Sequence, residues 1–207
     1  MTILIAGFSA FPGAPVNPTE RLVESLSGTA TPGGDTVSTV VLPVSWTESW
    51  PRLRAAIDVA KPAAVLLFGL SLRCERLHIE MLARNHRQLG RADASGAFPS
   101  GPAVLDGPEQ LPVRIPIAAT ATALRLAGLD FAWSKDAGTY LCNDTLYRLA
   151  FHADALGIDR FGFVHSPLTD ELVDSYLVAE QLPSLVRTVP EHTLAAAAAA
   201  IIGAWCD

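Results

Sequence analysis

The length, composition and charge of the chain exclude several classes of protein. It has 207 residues, of which 50% are hydrophobic and 17% charged, and 15 Lys and Arg against 21 Asp and Glu give a net charge of -6. An acidic chain with no cluster of basic residues is a poor nucleic-acid binder, because phosphate contacts supply most of that affinity. The composition is too apolar for a disordered chain, and three cysteines are too few for a disulfide scaffold. The length predicts one domain over residues 1–207.

The most apolar segment is Leu194–Trp205, with an unbroken alanine run from Ala195 to Ala200. It is shorter than the roughly 18–20 residues that cross a bilayer, so we interpret it as a packed helix and expect no membrane partner. The first residues lack the basic region of a signal peptide. We therefore expect a cytoplasmic protein, in which thiols stay reduced.

Apolar runs bounded by turn residues alternate with segments of helical periodicity. This alternation predicts an α/β fold with a mostly parallel sheet. In chain order, we predict a strand at Ile3–Phe8, a helix capped by Asn17 with Pro18 in its first turn, a strand at Thr36–Leu42, a helix over 47–60, a strand at Ala63–Phe68 and a helix over 117–127. A further helix follows Cys142 and ends at Gly157, and a strand at Arg160–His165 and the C-terminal helix come after it. The stretch from Gly90 to Pro112 is rich in Gly, Pro, Ala and Ser, and a loop this long is functional or mobile.

Cys142 is the first candidate for chemistry. It precedes the predicted helix, with Asn143 or Asp144 as the expected cap, and the positive end of a helix dipole favours a thiolate. The alternative is a small buried hydrophobic side chain, which is what most free cysteines are.

His165 and Glu80 are the second and third candidates. His165 ends an apolar strand, where an imidazole can act as a general base at the sheet edge, although a structural histidine has the same signature. Glu80 lies in an apolar segment and can orient an imidazole, or it can pair with Arg84 across one helical turn. Cys74 and His78 are four residues apart and would share a helix face, but two ligands do not make a metal site, so we predict no metal.

Four segments together resemble the pyroglutamyl peptidase I family of cysteine peptidases. The opening resembles the family's GFxPFGG…NPS/T, the cysteine segment its AGx[FY][LV]CN, the histidine segment its GFIHxP and the glutamate segment its ERxAxN. They occur in the family's order, at similar spacings, over nearly the whole chain. In this sequence they read Gly7–Gly13 with Asn17–Thr19, Ala137–Asn143, Phe161–Pro167 and Glu80–Asn85.

The resemblance implies a cytoplasmic peptidase with a three-layer α/β/α sandwich and a mostly parallel mixed sheet. It implies Cys142 as nucleophile, His165 as general base and acid, and Glu80 as the residue that orients His165. The substrate would be a small peptide with a blocked, pyroglutamyl N-terminus, and no cofactor would be needed. The family is also compatible with a homo-oligomer, either a dimer or a tetramer.

The substrate-binding residues carried over from the family are Phe8, Phe11, Tyr140 and Leu141. The two phenylalanines would sandwich the lactam ring, since a small uncharged lactam offers flat faces to aromatic rings. The alternative is that Phe8 and Phe11 are ordinary core residues at the end of a strand.

The sequence departs from the family along one wall of the expected pocket. Gly90 stands where the family has an arginine near the active site, and Arg91 stands where a pocket isoleucine is expected. Leu70 replaces a glutamine of some members, Arg73 is displaced by one position from the family's arginine, and Val44 replaces a frequent threonine.

We include Arg91 among the predicted substrate-binding residues, and either Arg91 or Arg87 is a candidate to replace the missing arginine. A cation there would suit an anionic substrate better than a neutral lactam. Two alternatives therefore stay open. One is a related cysteine amidase or peptidase for another small acyl or acidic group, and the other is a non-enzymatic descendant that binds a peptide or metabolite.

Overall fold

The computed structural model describes residues 1–30 and 34–206, with helices and strands in alternation along most of the chain. The strands are β1 (Thr2–Phe8), β2 (Thr36–Leu42), β3 (Ala64–Leu70), β4 (Leu77–Glu80), β5 (Leu82–Arg84), β6 (Gln110–Pro112), β7 (Phe131–Ser134), β8 (Arg160–Ser166), β9 (Leu168–Thr169) and β10 (Thr188–Val189). The helices are α1 (Pro18–Ser25), α2 (Ser49–Ala60), α3 (Ile117–Leu126), α4 (Leu141–Leu156), α5 (Val173–Val178), which follows a 3₁₀ turn at Asp170–Leu172, and α6 (His192–Cys206).

The central sheet has six strands in the order β2-β1-β3-β8-β4-β7. The first four strands of this order are mutually parallel, β4 runs antiparallel to β8, and β7 is parallel to β4. Two ribbons lie outside this sheet: β5 pairs with β6 and β9 pairs with β10. The predicted α/β class with a mostly parallel mixed sheet is confirmed.

Helices cover both faces of the sheet and give it two cores. Side chains alternate along each strand, so Leu4 of β1 joins the core beneath α2 and α4, while Ile3 and Ile5 join the core beneath α1 and α6. The alanine-rich α6 buries small side chains, Ala197 and Ala198, together with larger ones such as Ile201 and Trp205. This arrangement is the predicted three-layer sandwich.

The helix ends show which sequence signals were read correctly. Asn17 caps α1, since its side chain accepts a hydrogen bond from the Thr19 amide and Pro18 occupies the first turn. Gly157 ends α4 in the left-handed conformation at φ 67°, as the glycine there indicated.

Two strands of the central sheet, β4 and β7, were not predicted. Both have four residues, which is too short for the alternation pattern to stand out. The helical interpretation of the Glu80 segment was wrong, because Glu80 ends strand β4 and Arg84 lies in β5. Arg84 reaches Asp136 and the Lys135 carbonyl instead of Glu80. Cys74 and His78 do not share a helix face either, since His78 belongs to β4.

The long segment between β5 and β6 has no helix or strand of its own but is tied down by side chains. Asn85 is its main anchor: the side-chain oxygen accepts from the amides of Val104 and Leu105, and the side-chain nitrogen donates to the carbonyls of Leu105 and Gly107. The Tyr147 hydroxyl of α4 donates to the Pro108 carbonyl. The loop is therefore attached to the face of the sheet that carries α4.

Within residues 1–30 and 34–206, no helix is long and apolar enough to cross a membrane. The cytoplasmic location stays a prediction.

Candidate active site

Sheet register brings Glu80 and His165 together. Glu80 of β4 lies opposite Phe163 of the antiparallel neighbour β8, and His165 is two residues further along β8, so its side chain points to the same face. Diagonal neighbours of this kind are within reach of long side chains. Glu80 Oε1 lies 2.7 Å from His165 Nδ1, and both side chains are buried.

The other side of the His165 imidazole meets Cys142. The Cys142 sulfur is an electrostatic partner of the imidazole, and because Nδ1 is engaged by Glu80, Nε2 is the nitrogen left for the sulfur. Burial would lower the pKa of His165, but the Cys142 sulfur and the Glu80 carboxylate outweigh it and raise that pKa from 6.5 to about 10. At neutral pH the imidazole is therefore held in its cationic form.

Gly69 makes room for the sulfur. It pairs with His165 across β3 and β8, on the face that carries α4. A Cβ at this position would lie 2.9 Å from Cys142 Sγ and 2.6 Å from Cζ of Phe163, both closer than carbon side chains allow. The absence of a side chain here lets Cys142 approach the sheet beside His165.

Cys142 occupies the second position of α4, as the sequence indicated, but the expected cap is absent. Tyr140 is the residue that precedes the helix, and its side chain makes no capping hydrogen bond. Asn143 and Asp144 lie inside the first turn and are fully buried, so the prediction that either caps the helix was wrong. Amides of a first helical turn have no partner within the helix, and here they lie beside the sulfur.

Asn143 joins α4 to the strand and loop that follow Glu80. Its side-chain oxygen accepts from the Arg84 amide at 2.8 Å, and its side-chain nitrogen donates to the carbonyls of Arg84 and His86 at 2.8 and 3.0 Å. All three of these hydrogen bonds join the Asn143 side chain to backbone groups. The residue next to the nucleophile therefore fixes the start of α4 against the segment that carries Glu80.

Asp144 forms a buried ionic network that the sequence analysis did not predict. Arg87 Nε lies 2.6 Å from Asp144 Oδ1 and Arg148 Nε lies 2.9 Å from Asp144 Oδ2, with the Asp144 and Arg87 side chains 2% and 6% exposed. The i,i+4 spacing of Asp144 and Arg148 was a readable signal, whereas Arg87 is 57 residues away in sequence. Because Arg87 is committed to Asp144, it does not replace the missing arginine in the pocket.

Several aromatic side chains pack in the same core cluster as Cys142. Phe11 and Tyr140 are half-buried, with ring centroids 6.4 Å apart, and Trp46 contacts Tyr140 edge-on at 5.2 Å. Phe8 is buried against Phe163 at 6.4 Å. Trp46 was not among the predicted site residues, because nothing in its local sequence links it to the cysteine segment.

Leu141 lies almost entirely within the core shared by α2 and α4. Its burial fixes the first turn of α4 against this core. Leu70 packs with the cluster around Leu168, Val44 is buried, and Arg73 is exposed.

Arg91 lies over Tyr140, with its guanidinium carbon 3.8 Å from the ring centroid. The Tyr140 hydroxyl donates to the Ala92 carbonyl at 2.9 Å, and burial raises the pKa of Tyr140, so the phenol stays neutral. Arg91 therefore lies beside the residue that precedes α4, and its role in substrate binding stays a prediction.

Cys74 is a second thiol in this region. It is buried, and this burial raises the pKa of the Cys74 thiol in spite of a hydrogen bond with the Ser71 side chain. A protonated, enclosed thiol is a poor nucleophile, which distinguishes Cys74 from Cys142 at the helix start.

Comparison with known proteins identifies the family. The sequence profile of the pyroglutamyl peptidase family matches residues 1–204. The chain belongs to the pyroglutamyl peptidase family. The pyrrolidone-carboxylate peptidase of Pseudomonas fluorescens SBW25 is 33% identical over 204 residues, which cover 98% of this chain and 92% of that protein.

Solved structures place the whole fold in the same family. A mutant pyrrolidone carboxyl peptidase from P. furiosus superimposes with a TM-score of 0.90 at 26% identity, covering 100% of this chain and 99% of that one. Pyroglutamyl peptidase I of Bacillus amyloliquefaciens gives a TM-score of 0.86 at 25% identity, covering 100% and 97%. The chain is thus a hydrolase of a cysteine peptidase family, which confirms the family and enzyme class predicted from its four motifs.

We expect Gly69→Ala to disable the site without unfolding the protein. The added methyl group must displace Phe163 or the Cys142 sulfur, at a cost of about 1–3 kcal/mol for overpacking. The rate of iodoacetamide labelling of Cys142 should change, and urea denaturation should show the small loss of stability. Gly101→Ala is the matched control, since a Cβ there meets open space. Equal behaviour of the two variants would contradict the packing argument.

Asp144→Asn should destabilise the protein strongly, because it leaves the buried Arg87 guanidinium without its counter-charge. Removing one partner of a buried ion pair costs about 3–5 kcal/mol, whereas an exposed pair contributes about 0–1 kcal/mol. Asp58→Asn, which breaks the exposed i,i+4 pair with Arg54, is the control. Urea unfolding of both variants measures the difference, and similar midpoints would refute a structural role for the network.

Proposed function

We propose that this protein removes N-terminal pyroglutamyl residues from peptides, with Cys142 as nucleophile, His165 as general acid and base, and Glu80 as the residue that orients His165. The observation that carries the proposal is the continuous contact from the Cys142 side chain through His165 to Glu80, in which the imidazole–carboxylate distance is 2.7 Å. A nucleophile, a base and an orienting carboxylate in contact form the arrangement that acyl transfer requires.

The reaction begins with the Cys142 thiolate and the His165 imidazolium. The sulfur attacks the pyroglutamyl carbonyl carbon and forms a C–S bond, and the carbonyl oxygen becomes an oxyanion. His165 gives its proton to the peptide nitrogen as the C–N bond breaks, which releases the shortened peptide as a free amine. Neutral His165 then takes a proton from water, the resulting hydroxide attacks the thioester, and pyroglutamate leaves as Cys142 is regenerated.

In the proposed reaction, the start of α4 stabilises the oxyanion. Backbone amides in the first turn lie beside the nucleophile and carry the positive end of the helix dipole. Asn143 and Asp144 hold this turn in place through buried side-chain contacts, so the amides need no reorganisation during the reaction.

The neighbouring aromatic side chains suit a lactam. Phe11 and Tyr140 present partly exposed ring surface beside Cys142, and Phe8 and Leu141 close the buried side. A pyroglutamyl ring is small, flat and uncharged, so it can stack against aromatic side chains. A charged N-terminal residue would have to lose its hydration to bind at the same place, which disfavours it.

A pyroglutamyl amide with a fluorescent leaving group tests the proposal. The wild type should release the amine, and Cys142→Ala should lower the rate by at least about 1,000-fold, since removal of a triad nucleophile leaves only binding and oxyanion contributions. Cys74→Ala is the thiol control and should keep most of the activity. Rapid labelling of Cys142 without turnover of the amide would point to a different acyl substrate, and slow labelling would point to a binding protein.

The pH dependence tests the role of Glu80. Its carboxylate helps to raise the pKa of His165 to about 10, so removing that negative charge lowers this pKa. In Glu80→Gln the alkaline limb of kcat/KM should therefore move to lower pH, and the rate should fall by about 10-fold or more as the imidazole is less well oriented. Glu75→Gln, an exposed carboxylate beside the same strand, should leave the profile unchanged. An alkaline limb that does not move in Glu80→Gln would exclude this role.

A further inference from the structure

Arg91 is held in a fixed position at the edge of the pocket. Its amide donates to the Gln88 carbonyl at 3.2 Å, and its own carbonyl accepts from the Trp46 indole at 3.2 Å. The next residue, Ala92, accepts from the Tyr140 hydroxyl. The backbone on both sides of the side chain is thus attached to the aromatic residues of the site.

The side chain stacks on Tyr140 and leaves its charge unused. Stacking uses the face of the guanidinium, so the N–H groups in its plane remain available to a bidentate acceptor. Among residues 1–30 and 34–206, no carboxylate forms an ion pair with Arg91. The adjacent acid, Asp93, is committed elsewhere: it accepts from the amides of Trp46, Ser95 and Ala97 and from the Ser95 hydroxyl.

Exposure distinguishes Arg91 from the residues proposed to hold the lactam. Phe8 and Leu141 are buried and Phe11 and Tyr140 are half-buried, while Arg91 is exposed. A neutral lactam offers no partner for a cation. In the proposed reaction the group that leaves with the peptide nitrogen extends toward solvent, and Arg91 is the solvent-exposed cation that lies over Tyr140.

We infer that Arg91 is a specificity-determining residue that binds a carboxylate on the residue following the pyroglutamyl group. The inference rests on the proposed function, because it concerns the leaving part of the same substrate. The carboxylate belongs either to an acidic side chain or to the free C-terminus of a dipeptide, and both offer the same planar, bidentate acceptor.

Two pairs of matched substrates test the inference and separate these sources. The first pair is pyroglutamyl-Glu-Leu-amide and its Gln counterpart, and the second is pyroglutamyl-Ala as free acid and as amide. In at least one pair, we expect the wild type to favour the carboxylate by about five- to tenfold in kcat/KM, mainly through KM. This preference should shrink as NaCl is raised from about 20 to about 500 mM.

Variants then assign the preference to Arg91. Arg91→Gln should bring the ratio within each pair to about one, and Arg91→Lys should keep part of it, since an ammonium retains the charge but not the fork. A general effect of the substitution on the site would change kcat/KM equally for both substrates of a pair, so it would not alter their ratio. Arg52→Gln, at an exposed position on α2, removes the same charge elsewhere and should leave every ratio as in the wild type.

Equal kcat/KM within both pairs for the wild type, or a ratio that survives in Arg91→Gln, would overturn the inference while leaving the proposed function intact. Absence of hydrolysis of all four substrates would overturn the proposed function, and the inference with it.

Discussion

The contact between Glu80 and His165 is the constraint on which the rest of the site depends. A buried carboxylate is costly unless a charge or a hydrogen-bond donor compensates it. Glu80 Oε2 has no hydrogen-bond partner in the described part of the chain, so the compensation comes through Oε1 and the imidazole. The imidazole in turn keeps its proton because the carboxylate lies on one side and the sulfur on the other. The protonated imidazole thus depends on the positions of both neighbouring side chains.

This electrostatic arrangement requires precise backbone placement, which comes from β4 and α4. The antiparallel pairing of β4 with β8 puts Glu80 diagonal to His165, and a shift of one residue would turn Glu80 to the opposite face of the sheet. On the other side, Asn143 ties the first turn of α4 to Arg84 and His86, which follow Glu80 closely in the chain. Cys142 and Glu80, which are 62 positions apart in sequence, are therefore positioned by one hydrogen-bonded unit.

The sequence predicted the parts of this design that leave a local signal. Long apolar strands such as Ile3–Phe8, the cap at Asn17 and the glycine at Gly157 are readable because the physical cause lies within a few residues. The strand that holds Glu80 was missed because four residues carry too little periodicity, and its neighbours suggested a helix instead. Arg87 with Asp144 and Trp46 with Tyr140 were missed for a different reason. These contacts join residues far apart in sequence, and a single sequence holds no record of which distant side chains meet. The family motifs supplied what periodicity could not, since they brought Cys142, His165 and Glu80 together as a set.

Chemistry and substrate choice rest on different parts of the molecule. Cys142, His165 and Glu80 lie at the start of a helix and on two strands of the main sheet. A change of packing there displaces these side chains directly, as the close contacts around Gly69 show. Arg91 and its neighbours belong to the long segment between β5 and β6, which holds its shape through side-chain hydrogen bonds from Asn85 and Asp93. Substitutions in such a segment alter the groups facing the substrate while the strands stay unchanged. Gly90 and Arg91, which depart from the family pattern, belong to this segment, whereas the cysteine, histidine and glutamate motifs lie on the helix start and the strands. The stacking of Arg91 on Tyr140, one residue before α4, joins this segment to the start of α4, and it is the contact through which Arg91 would act on specificity in our proposal.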